Sequence, residues 1–235
     1  GSEKSHGSPL GPEELGFLKA KLGTPAEAFY IDQEMKSLWE SAWKKDADEY
    51  ELWQENFLAL PDDKKEYMKA SQVKLPLELG KLDSPEATRA SSGKFVEFML
   101  KSEEKLIVGS ADLAESNGLK SSECLPITKA DFSGNFLYYG VRENAMAAIM
   151  NGLAISGFIP IGGTFFVFSD YMRPSIRLSA LMKLQVIYVM THDSIGVGED
   201  GPTHQPIEHL ASFRAMPNIN VFRPADFCEV AECYE

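Results

Sequence analysis

Between residues 106 and 222, short apolar runs alternate with stretches of helical period, and that alternation constrains the fold more than any other feature of the chain. Leu106-Ile-Val-Gly109, residues 159–164, residues 185–190 (Gln-Val-Ile-Tyr-Val-Met) and residues 219–222 read as strands. Helical patterns lie at 86–101, from near Arg142 onward, at 173–184 and at 206–216. Apolar strands without polar alternation are covered on both faces, and intervening helices supply the cover. The expected fold class is therefore α/β, a mostly parallel sheet flanked by helices. The helix after Arg142 carries Ala145, Ala147, Ala148, Gly152 and Ala154, small residues that suit close packing.

Upstream the texture differs. Residues 1–30 open as a loop and continue into a helix at 13–22, which Gly23 ends. Residues 31–70, rich in Glu, Lys, Trp and Leu, read as amphipathic helices broken at Pro61, a helical connector. Residues 71–85 carry Pro76 and Pro85 without a clear period and read as a linker.

The net charge of −12 argues against non-specific nucleic-acid binding, which needs basic surface, but leaves room for a few cations around a phosphate. Cys124, Cys228 and Cys233 are too few for a disulfide framework and lack zinc-site spacing, so reduced thiols and a cytoplasmic location are expected. No apolar run is long enough to span a bilayer; Met146 to Gly163, the longest candidate, is interrupted by Asn151 and several glycines. The chain starts without Met and ends within a helical pattern that begins near Asp226, so it reads as an interior piece of a longer polypeptide.

Three segments carry candidate chemistry. Thr191-His-Asp-Ser-Ile-Gly-Val-Gly-Glu-Asp-Gly-Pro-Thr-His-Gln-Pro206 follows an apolar strand, where parallel α/β sheets place their ligands. Its His192, His204, Asp200 and glycines fit an acid–base pair, a phosphate loop or, less well for want of ligand spacing, a metal site; they equally fit a connector whose His204 caps the next helix. In Tyr139-Gly-Val-Arg-Glu-Asn-Ala-Met146, Glu143 falls in the first turn of the small-residue helix. An acid there serves the helix dipole, yet a carboxylate beside so tight a helix is expected to be partly buried and to need a partner. Phe165, Phe168 and Tyr171 recur every third residue after a strand, either as core or as an aromatic wall for a flat ring.

Taken together, Gly109-Ser-Ala-Asp-Leu113, Tyr139 to Glu143, Gly162-Gly-Thr-Phe165, the 191–206 string and Asn218-Ile-Asn-Val-Phe-Arg-Pro-Ala-Asp226 resemble the transketolases in order and spacing, as does the opening His6-Gly-Ser-Pro-Leu10. The resemblance implies the thiamine diphosphate-binding fold: residues 1–30 as the tail of the diphosphate domain, 31–83 as connector and 84–235 as the pyrimidine domain. It implies a homodimer that transfers a two-carbon ketol unit between sugar phosphates using thiamine diphosphate and Mg2+, with no metal ligand in this chain, because the Gly-Asp-Gly motif of the family is not in it. Glu143 is expected at N1′ of the aminopyrimidine, where a carboxylate favours the imino tautomer that accepts the thiazolium proton. Phe165, Phe168 and Tyr171 are expected around that ring, and Asp112 near the cofactor at the dimer interface. For the substrate, the resemblance implies His192 and Asp200 at sugar hydroxyls and His204 at the carbonyl region, assisting proton transfer. His6 is implied beside the diphosphate and substrate, with Arg89 and Ser116 at the substrate phosphate. By pattern alone Arg89 is a solvated helix arginine.

The chain departs from the family pattern at Asn144, where His is usual, at Ala147-Ala148 and across 167–174. Asn144 keeps hydrogen bonding but cannot titrate. Two rivals remain open at this point: a dihydroxyacetone synthase-like enzyme, which takes formaldehyde as acceptor, and a non-catalytic transketolase-like binding subunit.

Overall fold

The structure, a computed structural model, describes residues 7–69 and 85–235. His6 and most of the 71–85 linker therefore lie outside the described residues. The chain falls into two units, one running to Lys65 and one from Glu66 onward. In chain order the helices and strands are α1 (Pro12–Leu22), α2 (Gln33–Ala59), α3 (Asp62–Tyr67), α4 (Thr88–Ser102), β1 (Leu106–Ser110), β2 (Phe136–Tyr138), α5 (Glu143–Ile155), β3 (Ile159–Phe165), α6 (Ser169–Met182), β4 (Ile187–Thr191), α7 (His209–Arg214) and α8 (Phe227–Tyr234).

The first unit is helical and follows local rules. Pro12 opens α1, where its missing N–H costs nothing, and Gly23 closes it in the left-handed conformation. Asp32 caps α2 by accepting from the amides of Glu34 and Met35. Pro61 separates α2 from α3.

In the second unit the four strands are all parallel, in the order β2-β1-β3-β4. Side chains alternate between the sheet's two faces. On one, Leu106, Val108, Ile159 and Ile161 pack with Val96 and Met99 of α4. The other carries a cluster of Met146 and Met150 of α5, Met172 and Ile176 of α6, Phe166 and Phe213. Glycines on β3 let α5 lie close: a Cβ at Gly162 would meet Met150 and Met146. Asn151 ties α5 to α6 by donating to the Ser175 carbonyl and accepting from Ser179 Oγ, which also bonds the Tyr188 hydroxyl. Ser92 and Tyr234 share a 2.7 Å hydrogen bond that links α4 to α8.

Three elements differ from the expectation. Phe136–Tyr138 is a strand, too short to show a period. Helix α6 begins at Ser169 and carries Pro174 internally, instead of starting near Arg173. Residues 219–222 form no strand: Ile219 and Val221 do alternate into the core, but their backbone has no ladder partner among the described residues. Between them and the outer edge of β4 runs a groove of about 1330 Å3.

Candidate functional site

Because every strand points the same way, all four carboxyl ends share one sheet edge; Ser110 stands level with Tyr138 and Gly163, and Phe165 with Thr191. The segments that follow the strands, loops and the first turns of helices, carry Asp112 and Ser116, then Glu143, then Phe168 and Tyr171, then His192 to His204. This is the crevice where open parallel sheets bind ligands.

Helix α4 brings Arg89 to the same edge. Gly118, with φ of 71°, has no room for a side chain against the Arg89 carbonyl, so the 111–118 loop and the first turn of α4 meet closely. Asp112 and Ser116 are both exposed on that loop, Asp112 with a left-handed backbone.

Glu143 is the first residue of α5 and only 7% exposed. Its carboxylate has no hydrogen-bond or ion-pair partner among the described residues. The preceding turn is held by Arg142, whose guanidinium donates to the Tyr139 carbonyl at 3.0 Å. The α5 N-terminus stabilises the negative charge, and the carboxylate oxygens keep a little solvent contact, which leaves them open to a donor on a ligand.

The aromatic wall forms. Phe165 and Phe168 lie nearly parallel, centroids 5.7 Å apart at 10°, with Tyr171, largely exposed, 6.3 Å from Phe168. Phe166, between the first two, turns into the core instead. His204 stands edge-on to Phe168 at 5.1 Å, and His192 stacks on Phe165 at 3.7 Å. The 191–206 loop thus folds over the wall. His204 Nδ1 bonds Thr203 Oγ1 and caps no helix, since α7 starts at His209. Asp193 anchors the loop through a two-nitrogen contact with Arg223, at 2.9 and 3.0 Å.

Burial and the Arg89 and His204 charges hold the His192 imidazole below its ordinary range, against the opposite pull of Asp200 and Asp193. His192 is therefore neutral at neutral pH. Two residues passed over in the sequence support it: Thr191 Oγ1 lies 3.0 Å from His192 Nδ1, and Asn117 Nδ2 donates to that hydroxyl at 2.7 Å. Asn117 lies four residues beyond the Gly109–Leu113 string already singled out, and only tertiary contact links it to Thr191. His209, also passed over, is buried with Nε2 3.2 Å from the Asp170 carboxylate beside Tyr171.

An aromatic wall beside a carboxylate at the ligand-binding edge of a parallel sheet suits a flat ring, and the comparisons identify the family. Residues 84–235 match the family described as transketolase, pyrimidine binding domain, and residues 1–77 match the transketolase thiamine diphosphate binding domain. The chain belongs to the transketolase family. It is 47% identical to a transketolase of Sinorhizobium medicae over 100% of this chain and 35% of the relative, and 44% identical to that of Geobacillus stearothermophilus over 100% and 37%. The solved transketolase from Leishmania mexicana superposes with a TM-score of 0.75 at 36% identity, covering 97% of this chain and 36% of that one. Transketolase from Pichia stipitis, in complex with sedoheptulose 7-phosphate, gives 0.70 at 37% identity over 97% and 36%. The chain spans about a third of the length of the curated relatives it matches. Among the described residues, no helix is long and apolar enough to cross a membrane.

Proposed function

We propose that this chain supplies the pyrimidine-binding side of a transketolase active site, which moves a two-carbon ketol unit from a ketose phosphate to an aldose phosphate. The observation that carries the proposal is Glu143: a residue 7% exposed, its carboxylate without a partner among the described residues, on the sheet edge that also bears the Phe165–Phe168 pair. A carboxylate so placed fits a protonated ring nitrogen. Glu143 would hold a proton at N1′ of the aminopyrimidine, and Phe168 and Phe165 would bind the ring by stacking, with Tyr171 closing the wall. When bound, thiamine diphosphate supplies the carbanion chemistry that side chains cannot. Asp112 would face the cofactor, whose diphosphate and Mg2+ are held by groups outside this chain.

The same edge suits a phosphorylated sugar. Arg89 and Ser116 would take the phosphate, His192 and Asp200 the hydroxyls, and His204 the carbonyl region, where it moves a proton. His6 would complete the site. The bound sedoheptulose 7-phosphate in the Pichia stipitis relative supports this substrate class. The domain division that follows is 1–30 for the tail of the diphosphate domain, 31–83 for the connector and 84–235 for the pyrimidine domain, in a cytoplasmic enzyme. A homodimer is supported by apolar side chains left exposed on α5 and α6, among them Ile149, Ile155, Leu178 and Leu181.

The test is Glu143→Gln in a full-length transketolase that carries this segment. Ketol transfer from xylulose 5-phosphate to ribose 5-phosphate should fall by about 10²- to 10⁴-fold, the usual worth of a positioned proton carrier. Turnover within a factor of two of the parent would end the proposal.

A further inference from the structure

A chain of hydrogen bonds, buried as far as Thr191 and part-buried at its end, runs from the floor of the sheet edge to His192. It begins at Ser110 Oγ, which accepts from the Leu113 amide at 3.1 Å and so sends its own proton onward, to Asn117 Oδ1 at 2.9 Å or to the Gly163 carbonyl at 3.0 Å. Asn117 is fully buried. With its oxygen turned to Ser110, its amide nitrogen donates to Thr191 Oγ1 at 2.7 Å. A hydroxyl that accepts this bond keeps one proton, and His192 Nδ1 lies 3.0 Å away. We infer that Asn117 and Thr191 are positioning residues that fix His192 as the tautomer with Nδ1 accepting and the proton on Nε2.

The consequence is chemical. A neutral imidazole has one donor and one acceptor, and the hydrogen bond made by one nitrogen sets the role of the other. With Nδ1 occupied, Nε2 presents an N–H. His192 then acts as a donor, suited to sugar or phosphate oxygens, and not as a base. Its ring plane is set independently by the Phe165 stack and by a left-handed backbone with φ of 55°. The inhibited charging of this imidazole by burial and Arg89 keeps it a neutral donor. The substrate role rests on the function proposed above; the tautomer does not.

The experiment separates the two, because it needs neither cofactor nor substrate. Long-range proton–nitrogen NMR spectra of the 15N-histidine chain distinguish the tautomers, and loss of one signal set in His192→Gln assigns the ring among the four histidines. The expected result is a single set with Nε2 protonated and Nδ1 unprotonated. Thr191→Val should move both nitrogens toward the averaged positions of a free imidazole, and Asn117→Leu should move them the same way; Ser110 keeps the Gly163 carbonyl as acceptor in that variant. Thr191→Ser, which restores the hydroxyl, should return the parent spectrum. A parent protonated on Nδ1, or a Thr191→Val spectrum unchanged at His192, would overturn the inference. If the tautomer holds but ketol transfer in the full-length enzyme is indifferent to His192→Gln, the functional reading fails and this one stands.

Discussion

Gly162 of β3 packs directly against side chains of the helix that carries Glu143. A Cβ built there would overlap Met150 Sδ, lie 2.7 Å from Met150 Cε and 3.3 Å from Met146 Sδ. Both methionines are fully buried, so their flexible ends can yield only by displacing Ile176, Met172 and the rest of that cluster. Overpacking of this kind costs about 1–3 kcal/mol. Gly162→Ala also lowers the conformational freedom of the unfolded chain, worth about 0.4–1 kcal/mol in the opposite direction. The net expectation is a loss of about 1–2 kcal/mol. With a urea slope of about 2 kcal/mol/M, the midpoint should fall by roughly 0.5–1 M. All three tryptophans, Trp39, Trp43 and Trp53, lie in α2, so the assay is far-UV circular dichroism and not fluorescence. Met150→Ala alone should cost about 2–5 kcal/mol through the cavity it leaves. The double variant should cost at least about 1 kcal/mol less than the sum, because the new methyl enters that cavity. Strict additivity, or a Gly162→Ala midpoint at or above the parent's, would refute the packing argument.

The Tyr139 hydroxyl is buried without a hydrogen-bond partner among the described residues, so Tyr139→Phe should raise stability at pH 7 by about 1 kcal/mol, read from the urea midpoint; a loss would refute this. Burial pushes the Tyr188 and Tyr234 phenols up to about 12, from an ordinary 10. The fold thus favours the neutral phenol, a contribution fully present below pH 10 that disappears as pH rises toward 12, so the urea midpoint should fall across that window. Arg89→Ala in the full-length enzyme should raise KM for phosphorylated acceptors at least tenfold with little change for unphosphorylated ones, and an equal effect on both would remove the phosphate role. Ile155→Glu, at a site 62% exposed, should leave monomer stability within about 0.5 kcal/mol while abolishing self-association in sedimentation; an unchanged dimer would place the interface elsewhere.

Local chemistry fixed much of this protein in advance. Pro12, Gly23, Asp32 and Pro61 delimit the first helices by rules that need no neighbour. Apolar runs at Leu106 and Ile159 require cover on both faces, and that already dictates a parallel sheet and a ligand edge at its carboxyl ends. The 191–206 string marked the loop over that edge. What the sequence could not decide was which member of each pattern turns toward the ligand. Phe165, Phe166 and Phe168 are alike in type, yet the short turn after β3 sends Phe166 into the core and leaves the other two stacked. Ile219 and Val221 show a strand's alternation because side-chain burial sets that period, while strand formation needs a ladder partner that the described fold does not give them. Asn117 and Thr191 stand 74 residues apart, and only the close pairing of β1, β3 and β4 brings them into one hydrogen bond. The same holds for Glu143: its position in the first turn was legible, but its low exposure of 7% is set by the packing of α5 in the folded domain. Periodicity is a property of one segment, whereas burial and hydrogen-bond polarity belong to the space between segments.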